Sequence, residues 1–235
     1  MALAATRLKP GQEQRVGIFD IIGKITDSGY VAHVGILETA NTVAFNTLAR
    51  VFHSGPPLEI GQLDAGTDQP VLGEMPVHLA GWIDNLRQEE WRGIHAWIAD
   101  ARTRIPPSVT RLTNYCIDPP FREVPDSVTG RVINCQYSCV GFVMRCYEVG
   151  AGIILLNYDP SVLPPADLDV LRDIYGEILD RLLRSPAASN RVGLGGDGPW
   201  RIVLPGYVFH ALNRQVNDIR DTPHVVRSVD EAAFP

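Results

Sequence analysis

The chain has 235 residues, 45% of them apolar and 20% charged, with a formal net charge of −6. That length can bury a core within one domain, and an acidic balance with no basic run to offset it excludes a general nucleic-acid surface. No apolar run approaches a membrane span, and the first ten residues lack the apolar stretch of a secretory signal, so the expected location is the cytoplasm or an export route without a classical signal peptide.

From Val16 to about Ile60, short apolar segments are separated by Gly, Asp, Ser and Asn, the pattern of a meander of strands. Candidate strands are Phe19 to Ile22, Tyr30 to Leu37 and Arg50 to Ser54. In the second, a period of two puts His33 on the face of Val31 and Gly35, which leaves room for a group to approach the imidazole. Gln62 to Pro76 reads as a loop bordering a cleft, and His78 follows it. Asp84 to Ile105 carries Leu86, Trp91, Ile94, Trp97, Ile98 and Ala101 at helical spacing, with Arg102 and Arg104 late, and Pro106-Pro107 ends it. Its tryptophans are expected in the core and His95 at an exposed or capped position.

After an irregular segment from Asn114 to Phe121, the apolar residues Val140, Phe142, Val143, Cys146, Tyr147 and Val149 predict a helix stopped by Gly150 and Gly152. Cys139 stands at its start. There the positive end of the helix dipole and the unpaired amides favour thiolate, lowering a pKa of about 8.5, and the same amides can hold an oxyanion. The alternative for any one cysteine is a small buried hydrophobe. Four cysteines, three of them from Cys135 to Cys146, fit neither a disulfide framework nor a zinc site; they are expected reduced, with no metal or cofactor.

Ile154 to Leu156 predicts a short buried strand, and Ala166 to Arg184 a helix whose stripe is Leu168, Leu171, Ile174, Tyr175, Ile178, Leu179 and Leu182. Gly193 to Gly198 lacks the Lys-Ser/Thr of a phosphate loop and reads as a turn. Arg201 to Leu212 predicts one or two strands broken at Pro205-Gly206, with His210 as a reserve base. The polar tail after Asn213 is expected to be partly disordered.

Ser138-Cys139-Val140-Gly141-Phe142-Val143, followed by Val149-Gly150-Ala151-Gly152-Ile153, resembles the Asp-Cys-Ser-Gly-Phe-Val…Glu-Ala-Gly-Ile signature of NlpC-type papain-like cysteine peptidases. The departures are Ser138 for Asp, Val140 for Ser, and one extra residue before Ile153. Asp20-Ile21-Ile22, His33-Val34-Gly35-Ile36 and Phe52-His53-Ser54-Gly55 resemble the barrel strands of those enzymes, in which the histidine of His-Val-Gly-Ile is the base. A polar residue on the next strand orients that base, and His53 occupies the matching place. Because His33 precedes Cys139, the order resembles a circularly permuted form, as in the lecithin:retinol acyltransferase-like group. Asn134-Cys135 resembles the Asn-Cys start of the acyltransferase-like motif, which would move the nucleophile to Cys135.

The resemblance implies an α+β protein, a single papain-like domain over 1–235, with a small antiparallel β-barrel or sheet packed on the helix bearing Cys139. A helical insertion at about 77–110 and a helix-plus-strand C-terminal extension at about 160–235 are expected. The implied activity is a cysteine peptidase or amidase: Cys139 attacks an acyl carbon, His33 is the base, and His53, or else Asn46 or Asn41, orients His33. Tyr115, Tyr137 or Gln136 is available as a second donor to the oxyanion. The implied substrate is a peptide, specifically a peptidoglycan stem peptide. The alternatives are a lipid acyl hydrolase or transferase using the same dyad, and a binding module in which Cys139 and His33 do not meet.

Overall fold

Apolar residues alternating along the first third of the chain build a six-stranded antiparallel sheet, seen in a computed structural model that describes residues 4–54, 72–104, 115–130, 132–231 and 234. The strands are β1 (Ala5–Arg7), β2 (Glu13–Val16), β3 (Ile21–Ile25), β4 (Val31–Leu37), β5 (Asn41–Ala44), β6 (Leu48–Phe52), β7 (Leu72–Pro76) and β8 (Leu79–Gly81). The sheet order is β1-β8-β3-β4-β6-β7, while β2 and β5 pair separately. The period of two sorts side chains between two cores: Ile21, Val34 and Ile36 join the larger core under the helices, while Ile22, Leu37 and Val51 join a smaller one. The fold class is therefore α+β, as expected.

Helix α1 (Gln88–Arg104) and helix α2 (Cys139–Ala151) cover the larger core. They approach backbone to backbone, since a Cβ on Gly93 would lie 1.9 Å from the Gly150 carbonyl oxygen. Between them runs a hairpin of β9 (Phe121–Pro125) and β10 (Val132–Tyr137), fastened to α2 by the Arg145–Glu123 ion pair at 2.9 Å.

The C-terminal third departs from expectation. The long helix predicted from Ala166 is two, α3 (Leu168–Tyr175) and α4 (Glu177–Leu183), because Gly176 takes a positive φ of 56° between them. After α5 (Pro186–Val192), the strands predicted over Arg201 to Leu212 are a coil and a helix, α6 (Gly206–Leu212). An apolar run of that length does not distinguish strand from helix by period, and here β3 and β8 accept one face of α6 at glycines: Cβ atoms on Gly23 and Gly81 would meet Phe209 and Leu212. The tail predicted to be disordered is ordered over its described residues, with α7 (Val216–Asp221) and buried Ile219, Val226 and Phe234. The strand predicted at Ile154 to Leu156 is a single bridge from Leu156 to His224. Of the predicted loop over 62–76, residues 62–71 lie outside the described residues, as does Pro106-Pro107; the rest of that loop, Leu72–Pro76, is β7. No helix among the described residues is long and apolar enough to cross a membrane.

Candidate active site

The start of α2 is fixed by a serine and a glycine. Ser138, in extended conformation at the N-cap, accepts from the Gly141 amide at 2.9 Å, which satisfies one of the helix's unpaired donors. Its own amide and hydroxyl both donate to the Pro120 carbonyl, at 2.9 and 3.1 Å. Gly141 permits that carbonyl to lie across the first turn, since a Cβ there would stand 1.8 Å from it. Cys139 is thereby the first residue of a thirteen-residue helix, only 1% exposed, beside Val34 of β4.

Strands β4 and β6 part where the site lies. They pair at Ile36–Phe52 and Leu37–Val51, and beyond those residues each strand's end turns to a different task. On β4, the Val34 amide is directed at the Cys139 sulfur. On the continuation of β6, Ser54 donates its hydroxyl to the Tyr137 carbonyl at 2.8 Å, two residues before the cysteine. His33 and His53, each next to one of these contacts, meet across the gap with Nε2 to Nδ1 at 2.7 Å and rings edge to face.

The histidine pair is the one foreseen from sequence, and its rivals lie elsewhere. Asn46 faces His78 Nε2 at 3.3 Å, and Asn41 accepts from the Thr42 amide at 2.8 Å. His78 accepts from the Ile25 amide at 3.0 Å. His210 is engaged by Asp230 and the Phe234 ring, and His95 stacks on Trp91, which is itself 39% exposed rather than in the core. Gly73 on β7, unnoticed in the sequence, sets the place of His53: a Cβ there would lie 2.5 Å from His53 Nε2. The His53 ring thus occupies the space that Gly73 leaves open at one nitrogen and meets His33 at the other.

Electrostatics overturn one expectation. Burial pushes the Cys139 thiol up to about 11, against the pull of the amides of Val34, Val140 and Cys139 itself. Desolvation wins because the sulfur is enclosed, and among the described residues no hydrogen bond joins it to the His33 ring. Burial likewise holds His33 well below its ordinary range, with His53 and Lys24 adding to the effect. The resting pair is therefore a neutral thiol and a neutral imidazole. The other cysteines are raised by burial too: Cys116 to about 12, Cys146 well above the usual range, and Cys135 upward.

Cys135 lies on β10, fully enclosed, rather than at a helix start. A cleft of about 450 Å³ lies at the opposite end of α2, around Arg87, Glu90, Gly152 and Arg220, and holds no nucleophile. No group of three or more His, Cys, Asp or Glu side chains among the described residues is placed to hold a metal ion. No family model matches the chain, and no curated protein or solved structure matches it.

Proposed function

We propose that the protein is a papain-like cysteine hydrolase of permuted order that cleaves an amide bond, with Cys139 as nucleophile, His33 as base and His53 orienting His33. The observation that carries this reading is the 2.7 Å His33–His53 pair at the gap between β4 and β6, whose two strand ends also reach the start of the Cys139 helix. His53 occupies Nε2 of His33, so Nδ1 is the ring atom left to take a proton. That requires His33 Nε2–H to donate to His53 Nδ1, a tautomer in which Nδ1 carries a lone pair.

The chemistry follows from the neutral resting state. As Sγ attacks the acyl carbon, its proton passes to His33 Nδ1, the Sγ–C bond forms and the carbonyl π pair moves onto oxygen. Collapse restores the carbonyl and breaks the C–N bond, and the amine leaves with the proton from His33. Water, deprotonated by the same ring, then attacks the thioester and releases the acid and the thiol. Of amide substrates, peptidoglycan stem peptides are the class that the resemblance of the motifs implies.

The test is incubation of the protein, and of its Cys139→Ala and His33→Ala variants, with peptidoglycan fragments and separately with phospholipid, products being identified by mass spectrometry. New amine and acid ends in the muropeptides, absent with both variants, are expected. Release of fatty acid with intact muropeptides would replace the amidase reading with the lipid acyl one. The raised thiol, with no hydrogen bond to His33, favours a second reading, a binding scaffold; it predicts no product from either substrate and no selective acylation of Cys139.

A further inference from the structure

Two tyrosines beside Cys139 bury hydroxyls that have no hydrogen-bond partner among the described residues. Tyr115 is 2% exposed and Tyr175 7% exposed. A buried donor without an acceptor is costly, and phenylalanine would fill the same space without that cost. Each residue is held by its neighbours rather than by its own hydroxyl. The segment after Tyr115 is pinned by Ile117 and Asp118 amides donating to the Val192 carbonyl at 2.8 and 3.1 Å. Tyr175 ends α3, which Asp173 fastens to the β3–β4 turn through Thr26 at 2.6 Å and Ser28 at 2.8 Å.

The hydroxyls lie side by side without the alignment of a hydrogen bond, and both feel the charge of Cys139. They are near the sulfur but not bonded to it. An oxygen attached to a carbon that has just bonded to that sulfur would stand farther from Sγ than the carbon does, so a donor can reach it without bonding the sulfur. One oxygen can accept from both, since an oxyanion offers three lone pairs.

We propose that Tyr115 and Tyr175 donate their hydroxyls to the acyl oxygen as negative charge develops on it, so that the C-terminal extension completes the site through Tyr175. The inference rests on the cysteine-hydrolase reading above. Burial raises both phenols above their ordinary range, so they remain donors throughout the working pH.

The test separates acylation from alkylation. p-Nitrophenyl acetate acetylates a thiol through a tetrahedral oxyanion, expelling p-nitrophenolate; iodoacetamide alkylates it by displacement of iodide, with no oxyanion. Both rates at Cys139 are read by peptide mass mapping for wild type, Tyr115→Phe, Tyr175→Phe and the double variant, with Tm as the check on folding. Each single variant is expected to acetylate about 100-fold more slowly, the loss typical of one oxyanion donor, with alkylation within twofold of wild type and Tm unchanged or raised. Equal losses in both reactions would assign the hydroxyls to the thiolate instead and overturn the proposal, as would unchanged acetylation. If wild-type Cys139 is not acetylated ahead of the other cysteines, the hydrolase reading itself fails.

Discussion

Gly73→Ala tests the orienting role of His53 without touching any reacting group. The new Cβ would stand 2.5 Å from His53 Nε2, about 0.9 Å inside the roughly 3.4 Å at which such atoms ordinarily rest. The ring has no retreat along that line, because its other nitrogen is already 2.7 Å from His33. It must swing aside by about 0.9 Å, which tilts the His53 nitrogen off the axis of its bond to His33. Losing orientation of a base by this amount costs about 100-fold in rate. Acetylation of Cys139 by p-nitrophenyl acetate is the assay, with Tm as the check on folding. The variant should match His53→Ala, and the double variant should be no slower than His53→Ala alone, since both remove the same contact. Full activity in Gly73→Ala, or multiplicative losses in the double variant, would refute the assignment of His53.

Other outcomes follow from the same geometry. His33→Ala should abolish acetylation of Cys139 with little change in Tm, whereas His210→Ala should leave the rate intact; the opposite result would move the base to α6. Because His33 is held below 6.5 by burial, its contribution to stability is present above that pH and is lost as pH falls through its folded pKa, so acid melts of His33→Ala should show a weaker pH dependence there. Iodoacetamide alkylation of Cys139 should rise about tenfold per pH unit towards about 11, and a plateau near neutrality would contradict the enclosed thiol. Gly141→Ala should destabilise by about 3 kcal/mol, measured by urea unfolding, since backbone 1.8 Å away cannot yield as a side chain can. Glu90 is pushed up by burial, but hydrogen bonds from Arg220 and Arg87 outweigh this and hold it at about 2, so its stabilisation is present above pH 4.5 and lost as pH falls towards about 2; Glu90→Gln should flatten that acid limb.

What was legible in the chain was local. A cysteine ahead of a helical stripe and a histidine in a strand beside Gly35 are patterns of a few residues, and the structure keeps both. What was hidden depends on distant parts of the chain meeting. The choice of His53 over Asn46 and Asn41 depends on how β6 returns to β4, and Gly73 matters only because β7 lies against β6. Tyr175 is one more apolar position in a helical stripe until α3 is docked on the β3–β4 turn. The thiol's pKa was misjudged because helix-end amides are visible in sequence and desolvation is not. The β9–β10 hairpin went unseen because β9 runs through half-buried residues into exposed Val124 and Pro125, with no alternation to betray it.

The neutral resting pair sets what the rest of the site must supply. Moving the Cys139 proton to His33 is uphill, because burial raises the thiol to about 11 and holds the imidazole well below its ordinary range. That cost is part of the barrier to attack, and at a turnover of about 10 per second the whole barrier is about 16 kcal/mol. Attraction between the new thiolate and imidazolium reduces the cost, and so does completing the transfer during attack rather than before it. The remaining charge then appears on the acyl oxygen, not on sulfur. A site of this kind gains little from stabilising thiolate and much from donors at the oxygen. That is where two buried hydroxyls without partners have their use. The same enclosure that raises the thiol keeps water from those donors until a substrate carbonyl arrives, so burial, which opposes ionisation at rest, strengthens the interactions that matter during attack.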